Sequence, residues 1–440
     1  MTQPLISRST GPLKGDITPP GDKSISHRAI MLGGIAEGVT TVRGLLEGED
    51  VLCTVEALKA LGATIAKQGD VWRIEGVGVQ GMKPPAHILD MGNSGTAARL
   101  LMGLLAGRPF TSSFTGDASL CKRPMGRVMT PLEQMGATFE SNGGKMPLSV
   151  TGAAEPTPIT YRLPVASAQV KSAILLSGLS AEGVTTVIEA SPTRDHSENM
   201  LRGFGADVRT TKQADGADTI SITGKPKLVG RDIVVPADPS SAAFPLVAAL
   251  LRPGSQVMLR HVGINPRRAG LIETLREMGA SIGLGDRRVE GGEPVADLAV
   301  SGSALKGIDV PPDRAPSMID EYPILAVAAA CATGTTRMRG LHELRVKESD
   351  RLALMADGLQ RCGVKVEIDG DDLIVHGMGR PPQGGAAVET AMDHRIAMSF
   401  LVLGMAALEP VGIDDSAFIA TSFPGFVVMM NGLGGKVEND

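Results

Sequence analysis

Leu58-Lys59-Ala60-Leu61-Gly62-Ala63-Thr64-Ile65 is the stretch from which the fold can be read. An apolar residue, two more positions, a second apolar residue, then glycine and a small residue reads as the end of an amphipathic helix. The glycine supplies the left-handed residue just past the helix, and a strand begins after it. The pattern returns as Leu132-Glu133-Gln134-Met135-Gly136-Ala137, Leu201-Arg202-Gly203-Phe204-Gly205-Ala206 and Leu275-Arg276-Glu277-Met278-Gly279-Ala280. It returns twice more, as Leu359-Gln360-Arg361-Cys362-Gly363-Val364 and Met430-Asn431-Gly432-Leu433-Gly434-Gly435. Successive glycines are 69 to 84 residues apart. Six recurrences at near-even spacing mark an internal repeat.

Each repeat carries a second, more apolar helix upstream, beginning near Ser24, Asn93, Ser167, Pro239, Ser317 and Ala391. Small and aliphatic residues lie almost all round these helices, which predicts burial on most faces. Strand-like stretches such as Thr40–Gly44, Thr185–Glu189 and Thr335–Arg339 separate the two helices, and strand pairs follow each glycine. The unit reads helix, strand, helix, strand, strand. Six units predict an α+β chain of two similar domains, three repeats each. The Pro-rich link Val235–Pro239 is the expected boundary. The short last unit is expected to borrow the N-terminal strand. That gives one discontinuous domain from residues 1–20 and 237–440 and another from 21–236, joined by a two-stranded hinge. The cleft at such a hinge is the default place for a ligand.

The 440 residues are 42% hydrophobic but only 3% aromatic, so the core is aliphatic. Few aromatics and a net charge of −5 speak against nucleic-acid binding. The four cysteines form no CxxC pair, and the seven histidines have no HExxH-like spacing, so no disulfide framework and no metal site are expected. No apolar N-terminal segment or membrane-length run is visible. A cytoplasmic protein is expected.

Polar residues collect where the apolar helices begin. Pro19-Pro20-Gly21-Asp22-Lys23-Ser24-Ile25-Ser26-His27-Arg28 puts a lysine, two hydroxyls and an arginine at a helix N-terminus, where free N–H groups and the helix dipole favour an anion. Ordinary capping explains the hydroxyls and carboxylates. It does not explain Lys23, Arg28, Gln169 and Arg395 within apolar helices, where polar and charged groups are costly unless paired. Arg123, Arg194, Lys347 and Arg351 sit in or beside linking loops, the last two on one expected helical face with Glu348 between them. The residues alone point to a cleft for small, multiply charged anions, with Asp320, Glu348 and Asp393 as candidate acid/base groups. No Walker A and no GxGxxG is present. A group transferase fits, and a non-catalytic repeat scaffold stays open.

With Pro20–Arg28, Gly92–Thr96, Lys122–Gly126, Ser167–Gln169, Asp320–Pro323, Arg345–Arg351 and Asp393–Arg395 in this order, the chain resembles the enolpyruvyl transferases. Within them it resembles the branch acting on shikimate 3-phosphate, in its bacterial class II form. The resemblance covers the whole chain. It implies two domains of threefold βαβαββ repeats, an inside-out α/β barrel, closing over the cleft. It implies transfer of the enolpyruvyl group of phosphoenolpyruvate to the 5-hydroxyl of shikimate 3-phosphate, on the pathway to chorismate and aromatic amino acids. No cofactor is implied, glyphosate is an expected inhibitor, and a monomer is expected.

Carried over by position, Lys23, Ser24, Arg28, Ser167, Ala168, Gln169, Arg194, Asp320 and Lys347 are implied ligands of shikimate 3-phosphate. Lys23, Gly95, Arg123, Gln169, Arg351 and Arg395 are implied for phosphoenolpyruvate. Asp320 is assigned as the base, and Glu348 with Lys23 as the acid/base pair for the methylene and the leaving phosphate. Three departures stand out. Ala420-Thr421-Ser422 lacks a lysine that many members carry, Leu100 replaces a common proline, and Gly95 stands where insensitive class II relatives have alanine. The sister enzyme acting on UDP-N-acetylglucosamine uses a loop cysteine about five residues before its Arg-Pro. Here Cys121 lies two before Arg123 and is read as incidental.

Overall fold

The computed structural model describes residues 3–440. All six signature turns close in the same way. The Gly62 N–H donates to the Lys59 carbonyl and the Ala63 N–H to the Leu58 carbonyl, both at 3.0 Å. The same pair of bonds recurs at Gly136, Gly205, Gly279, Gly363 and Gly434. This is the Schellman ending of a helix, and it needs a left-handed residue at the glycine. The six glycines have φ between 81° and 108°. The residue four before each glycine (Leu58, Leu132, Leu201, Leu275, Leu359 and Met430) is completely buried. Burial of such a side chain contributes about 1.5–3 kcal/mol.

The chain divides into two compact units. One comprises Met1–Pro20, Pro236–Val289 and Pro294–Asp440, and the other Gly21–Val235 with Glu290–Glu293. The first two residues of the domain expected from residues 1–20 and 237–440 lie outside the described residues.

In the Gly21–Val235 unit the helices alternate between inner and outer. They are α1 (Lys23–Ile35), α2 (Glu49–Ala60), α3 (Gly95–Ala106), α4 (Gly126–Gln134), α5 (Ala168–Gly178) and α6 (His196–Gly203). The inner helices α1, α3 and α5 are buried almost all round. Gly103 shows how closely they pack. A Cβ there would lie 2.3 Å from the Ala173 carbonyl oxygen, so α3 meets the backbone of α5 without a side chain between. The other unit contains α7 (Pro239–Leu251), α8 (Gly270–Glu277), α9 (Ala315–Met318), α10 (Tyr322–Cys331), α11 (Arg351–Arg361), α12 (His394–Ala406) and α13 (Phe426–Gly432). Its inner helices are α7, α10 and α12.

Each repeat contributes one four-stranded sheet, six in all among the described residues. A short first strand runs parallel to the strand after the inner helix, and the remaining pairings are antiparallel. These first strands are two to four residues long and are absent from the sequence reading. Two come from far along the chain. Asp232–Val234 runs parallel to Glu37–Arg43, and Lys14–Ile17 runs parallel to Gln256–Gly263. The N-terminal strand Leu5–Ser7 lies between Val411–Ile413 and Val437–Asn439, completing the last sheet. Among the described residues no helix is long and apolar enough to cross a membrane.

Two local expectations are corrected. The helix expected near Ser317 is broken into α9 and α10. Pro323 has no N–H to give to the Ile319 carbonyl, so the α-helical ladder restarts with the Leu325 N–H on the Glu321 carbonyl. Asp320 therefore lies in a turn. Lys347 and Arg351 do not share a helical face. Asp350 caps α11 by accepting from the Ala353 N–H, so the helix starts at Arg351, and Lys347 follows the short helical turn His342–Val346.

Candidate active site

In the Gly21–Val235 unit the N-terminal ends of α1, α3 and α5 meet. Asp22 caps α1 by accepting from the Ile25 N–H at 2.9 Å. Ser94 caps α3 and Ser167 caps α5 in the same manner. Lys23, on the first turn of α1, forms an ion pair with Asp50 of α2. His27 joins α1 to two neighbours, with Nδ1 2.7 Å from the Thr54 hydroxyl and Nε2 3.3 Å from the Ser94 hydroxyl. Burial, and then the charges of Lys23 and Arg28, hold its pKa well below the ordinary histidine value.

Arg28 is buried and reaches α5 and α6. Its Nε donates to Ser197 Oγ at 2.7 Å and one terminal nitrogen to Ser172 Oγ at 3.0 Å. The other terminal nitrogen bonds the Ser24 carbonyl at 2.9 Å. Burial lowers its pKa to about 10, opposed by the carboxylate of Glu198, so the guanidinium stays charged at neutral pH. Arg123 donates to Asn93 Oδ1 at 2.7 Å and Ser119 Oγ at 3.2 Å. Gln169 ties the starts of α3 and α5 together. It accepts from Arg99 at 2.9 Å and donates to Thr96 Oγ1 at 2.9 Å. A Cβ on Gly95 would lie 2.7 Å from an Arg99 terminal nitrogen and 3.2 Å from one of Arg123. Arg194 lies on the loop before α6, partly buried. Ala168 is the first residue of α5.

In the other unit the starts of α7, α10 and α12 meet. Arg351 is fully buried and surrounded by carboxylates. Its Nε bonds Asp393 at 2.8 Å, one terminal nitrogen bonds Asp320 at 3.2 Å, and the other pairs with Glu348 at 2.6 Å. Asp393 and the other two carboxylates raise its pKa above the ordinary arginine value, overcoming burial. Burial would raise the Asp393 pKa, but the Arg351 charge prevails and the carboxyl sits below its ordinary range. Asp393 also caps α12, accepting from the Arg395 N–H at 2.9 Å, and accepts from Ser349 Oγ at 2.9 Å. Lys347 Nζ lies 3.5 Å from Asp320 Oδ1. Arg395 donates to the Asp320 carbonyl at 3.3 Å. Behind this set, buried Arg268 bonds Glu321 at 2.9 Å, Asp238 at 3.1 Å and Ser240 at 2.7 Å, joining α7 to α10.

The sequence-derived candidates thus fall into two clusters. Lys23, Ser24, Arg28, Gly95, Arg123, Ser167, Ala168 and Gln169 gather at one set of helix ends, with Arg194 on the adjoining loop. Asp320, Lys347, Glu348, Arg351 and Arg395 gather at the other. Sequence reasoning missed Asp50, Arg99 and Arg268. Arg99 had a detectable signal, as a lone cation one turn into an apolar helix. Asp50 sits on an ordinary polar helix start and gave none. Thr421, within the stretch where the resemblance implied a lysine, turns its hydroxyl back to the Phe418 carbonyl at 2.7 Å.

The chain matches the family model described as EPSP synthase (3-phosphoshikimate 1-carboxyvinyltransferase) over residues 7–430. A 3-phosphoshikimate 1-carboxyvinyltransferase of Paramagnetospirillum magneticum is 63% identical, across 100% of this chain and 99% of its own. The protein of the same name from Rhodospirillum rubrum is 60% identical, across 99% and 98%. In structure, the EPSP synthase of Acinetobacter baumannii superposes with a TM-score of 0.88 at 48% identity, covering 100% of both chains. Six Schellman-ended repeats, two helix-end clusters of cations and carboxylates, and full-length similarity agree: the chain belongs to the EPSP synthase family.

Proposed function

We propose that the chain transfers the enolpyruvyl group of phosphoenolpyruvate to the 5-hydroxyl of shikimate 3-phosphate, releasing phosphate. The observation that carries this reading is the convergence of Lys23, Arg28, Arg99 and Arg123 on the starts of three buried helices. Helix N-termini and buried guanidinium groups together suit a phosphorylated carboxylate. In this reading Lys23, Ser24, Arg28, Ser167, Ala168, Gln169 and Arg194 hold shikimate 3-phosphate, with Asp320 and Lys347 at its reacting end. Lys23, Gly95, Gln169, Arg123, Arg351 and Arg395 hold phosphoenolpyruvate.

The chemistry needs two proton carriers. The 5-hydroxyl oxygen attacks C2 of phosphoenolpyruvate and loses its proton to Asp320, while C3 gains a proton and a tetrahedral intermediate forms. C3 then gives up a proton as the C2–O bond to phosphate breaks. Glu348 and Lys23 serve the methylene and the leaving phosphate. Arg123, Arg351 and Arg395 supply fixed positive charge to the developing anion. Lys347 and Arg351 hold one oxygen of Asp320, which orients its carboxyl group.

Release of inorganic phosphate from the two substrates together, and not from phosphoenolpyruvate alone, is the expected result. Release with UDP-N-acetylglucosamine in place of shikimate 3-phosphate would contradict it. Cys121, whose Sγ contacts the Gly116 carbonyl at 3.3 Å, takes no part. Glyphosate is read as an inhibitor at the Gly95 site, where no Cβ crowds it. The protein is read as a cytoplasmic monomer.

A further inference from the structure

A buried ion cluster on α5 takes no part in the reaction scheme. Lys171 lies on the first turn of α5, and neither its side chain nor that of Glu189 has any exposed surface. Its Nζ is 3.0 Å from Glu189 Oε1, 2.7 Å from Glu198 Oε1 and 3.5 Å from the Thr193 carbonyl oxygen. Glu189 ends the strand Val184–Glu189, and Glu198 lies on α6. Glu189 also accepts from Thr193, at 3.2 Å from its N–H and 2.6 Å from its hydroxyl. Every polar group of Thr193 is therefore engaged by this cluster, and Thr193 is the residue before Arg194.

The cluster reaches the other phosphate-facing cation as well. Ser172 follows Lys171 in sequence and Ser197 precedes Glu198. Their hydroxyls lie 2.6 Å apart, and both accept from Arg28. Arg28, Lys171, Glu189 and Glu198 together bring two positive and two negative groups into the interior. Buried ion groups seldom add net stability over an apolar core of the same shape. What this set does is fix three elements, α5, α6 and the loop between strand and helix, in one arrangement.

We propose that Lys171, Glu189 and Thr193 are positioning residues for shikimate 3-phosphate, holding Arg194 directly and Arg28 through Ser172 and Ser197. The inference rests on the reading of Arg28 and Arg194 as ligands of that substrate. Its bonds run to the residues read as holding shikimate 3-phosphate, so it acts chiefly on that substrate.

Two variants test it. Lys171→Met combined with Glu198→Gln removes one charge of each sign, so the buried charge stays balanced. Thr193→Val removes only the hydroxyl that Glu189 holds, and carries the test alone if the first variant does not fold. In either folded variant KM for shikimate 3-phosphate rises about tenfold, since displacing a positioned group by a fraction of an ångström is felt at the substrate. KM for phosphoenolpyruvate and kcat stay within about twofold. In an Arg194→Ala background Thr193→Val adds no further rise, because the residue it positions is already gone. An unchanged KM for shikimate 3-phosphate in the folded Thr193→Val protein, or effects that multiply with Arg194→Ala, would overturn the inference. Absence of turnover in the unsubstituted chain would instead contradict the proposed function.

Discussion

The two helix-end clusters use the same geometry with opposite partners. Around α1, α3 and α5, arginines bond to neutral groups. Arg28 bonds two serines and a carbonyl, Arg123 an asparagine and a serine, and Arg99 a glutamine. Around α7, α10 and α12, the two buried arginines bond to carboxylates. Arg351 meets Asp393, Asp320 and Glu348, and Arg268 meets Glu321 and Asp238. A cation held by hydroxyls and amides keeps its charge for an incoming anion. A cation held by carboxylates is partly compensated, and it also fixes where those carboxylates point. The first arrangement suits holding phosphates, and the second also suits aiming a carboxylate at a proton.

Removing one member from each cluster is the sharpest way to break this contrast. Asp320→Ala is expected to lower kcat by about 10³-fold, within the range for loss of a general base. Its fold should persist, because Arg351 keeps Asp393 and Glu348. Near-normal kcat in steady-state assays would remove Asp320 from its role. Arg28→Met should act on the other parameter, raising KM for shikimate 3-phosphate by about 10²-fold through loss of charged hydrogen bonds. A fall in kcat at unchanged KM would put Arg28 on the wrong side of the comparison.

Gly95→Ala has a smaller expected effect. The added methyl meets the tips of Arg99 and Arg123, which are flexible enough to shift. Inhibition constants for glyphosate should rise about tenfold, the effect of one badly placed methyl in a tight polar site. Inhibition at equal concentrations in both forms would contradict the placement of Gly95.

The acid stability of the two clusters should differ as well. Folded His27 stays neutral while unfolded histidine takes a proton below about pH 6.5, so acidification through that value favours the unfolded chain by up to about 1.4 kcal/mol per pH unit. Asp393 responds with the same sign but in a lower pH window. Its lowered pKa gives stability that is present above the ordinary aspartate value of about 3.8 and lost only as pH falls through its folded value below that. Between about pH 6.5 and 5 the His27→Gln protein should therefore lose less stability than the unsubstituted chain, read from urea melts. Equal losses would show that His27 is not the group responsible.

The parts of this molecule legible in sequence are those set by local chain geometry. The six helix ends were readable because a Schellman turn needs only glycine, a small residue after it and an apolar residue four before it. Lys23, Arg28, Gln169 and Arg395 were readable as charged or polar residues where an apolar helix begins. Pairings between distant segments were not. Leu89–Asp90 and Asp309–Val310 are strands only because a partner lies beside them, and two residues carry no period. Asp50 has the sequence context of any residue near a helix start, and only the fold brings Lys23 against it. Pro323 marks the interruption of the helix beside Asp320, since it removes the N–H that would bond the Ile319 carbonyl.

The central claim is that the helix ends of α1, α3 and α5 carry most of the hold on shikimate 3-phosphate, while Asp320 in the other cluster takes the proton. It is tested most directly by titrating shikimate 3-phosphate into the Asp320→Ala protein by calorimetry, beside its turnover assay. The account predicts saturable binding within about tenfold of the unsubstituted chain, as expected from losing one hydrogen bond to the substrate, together with almost no turnover. Loss of binding along with turnover, or turnover that persists, would contradict it.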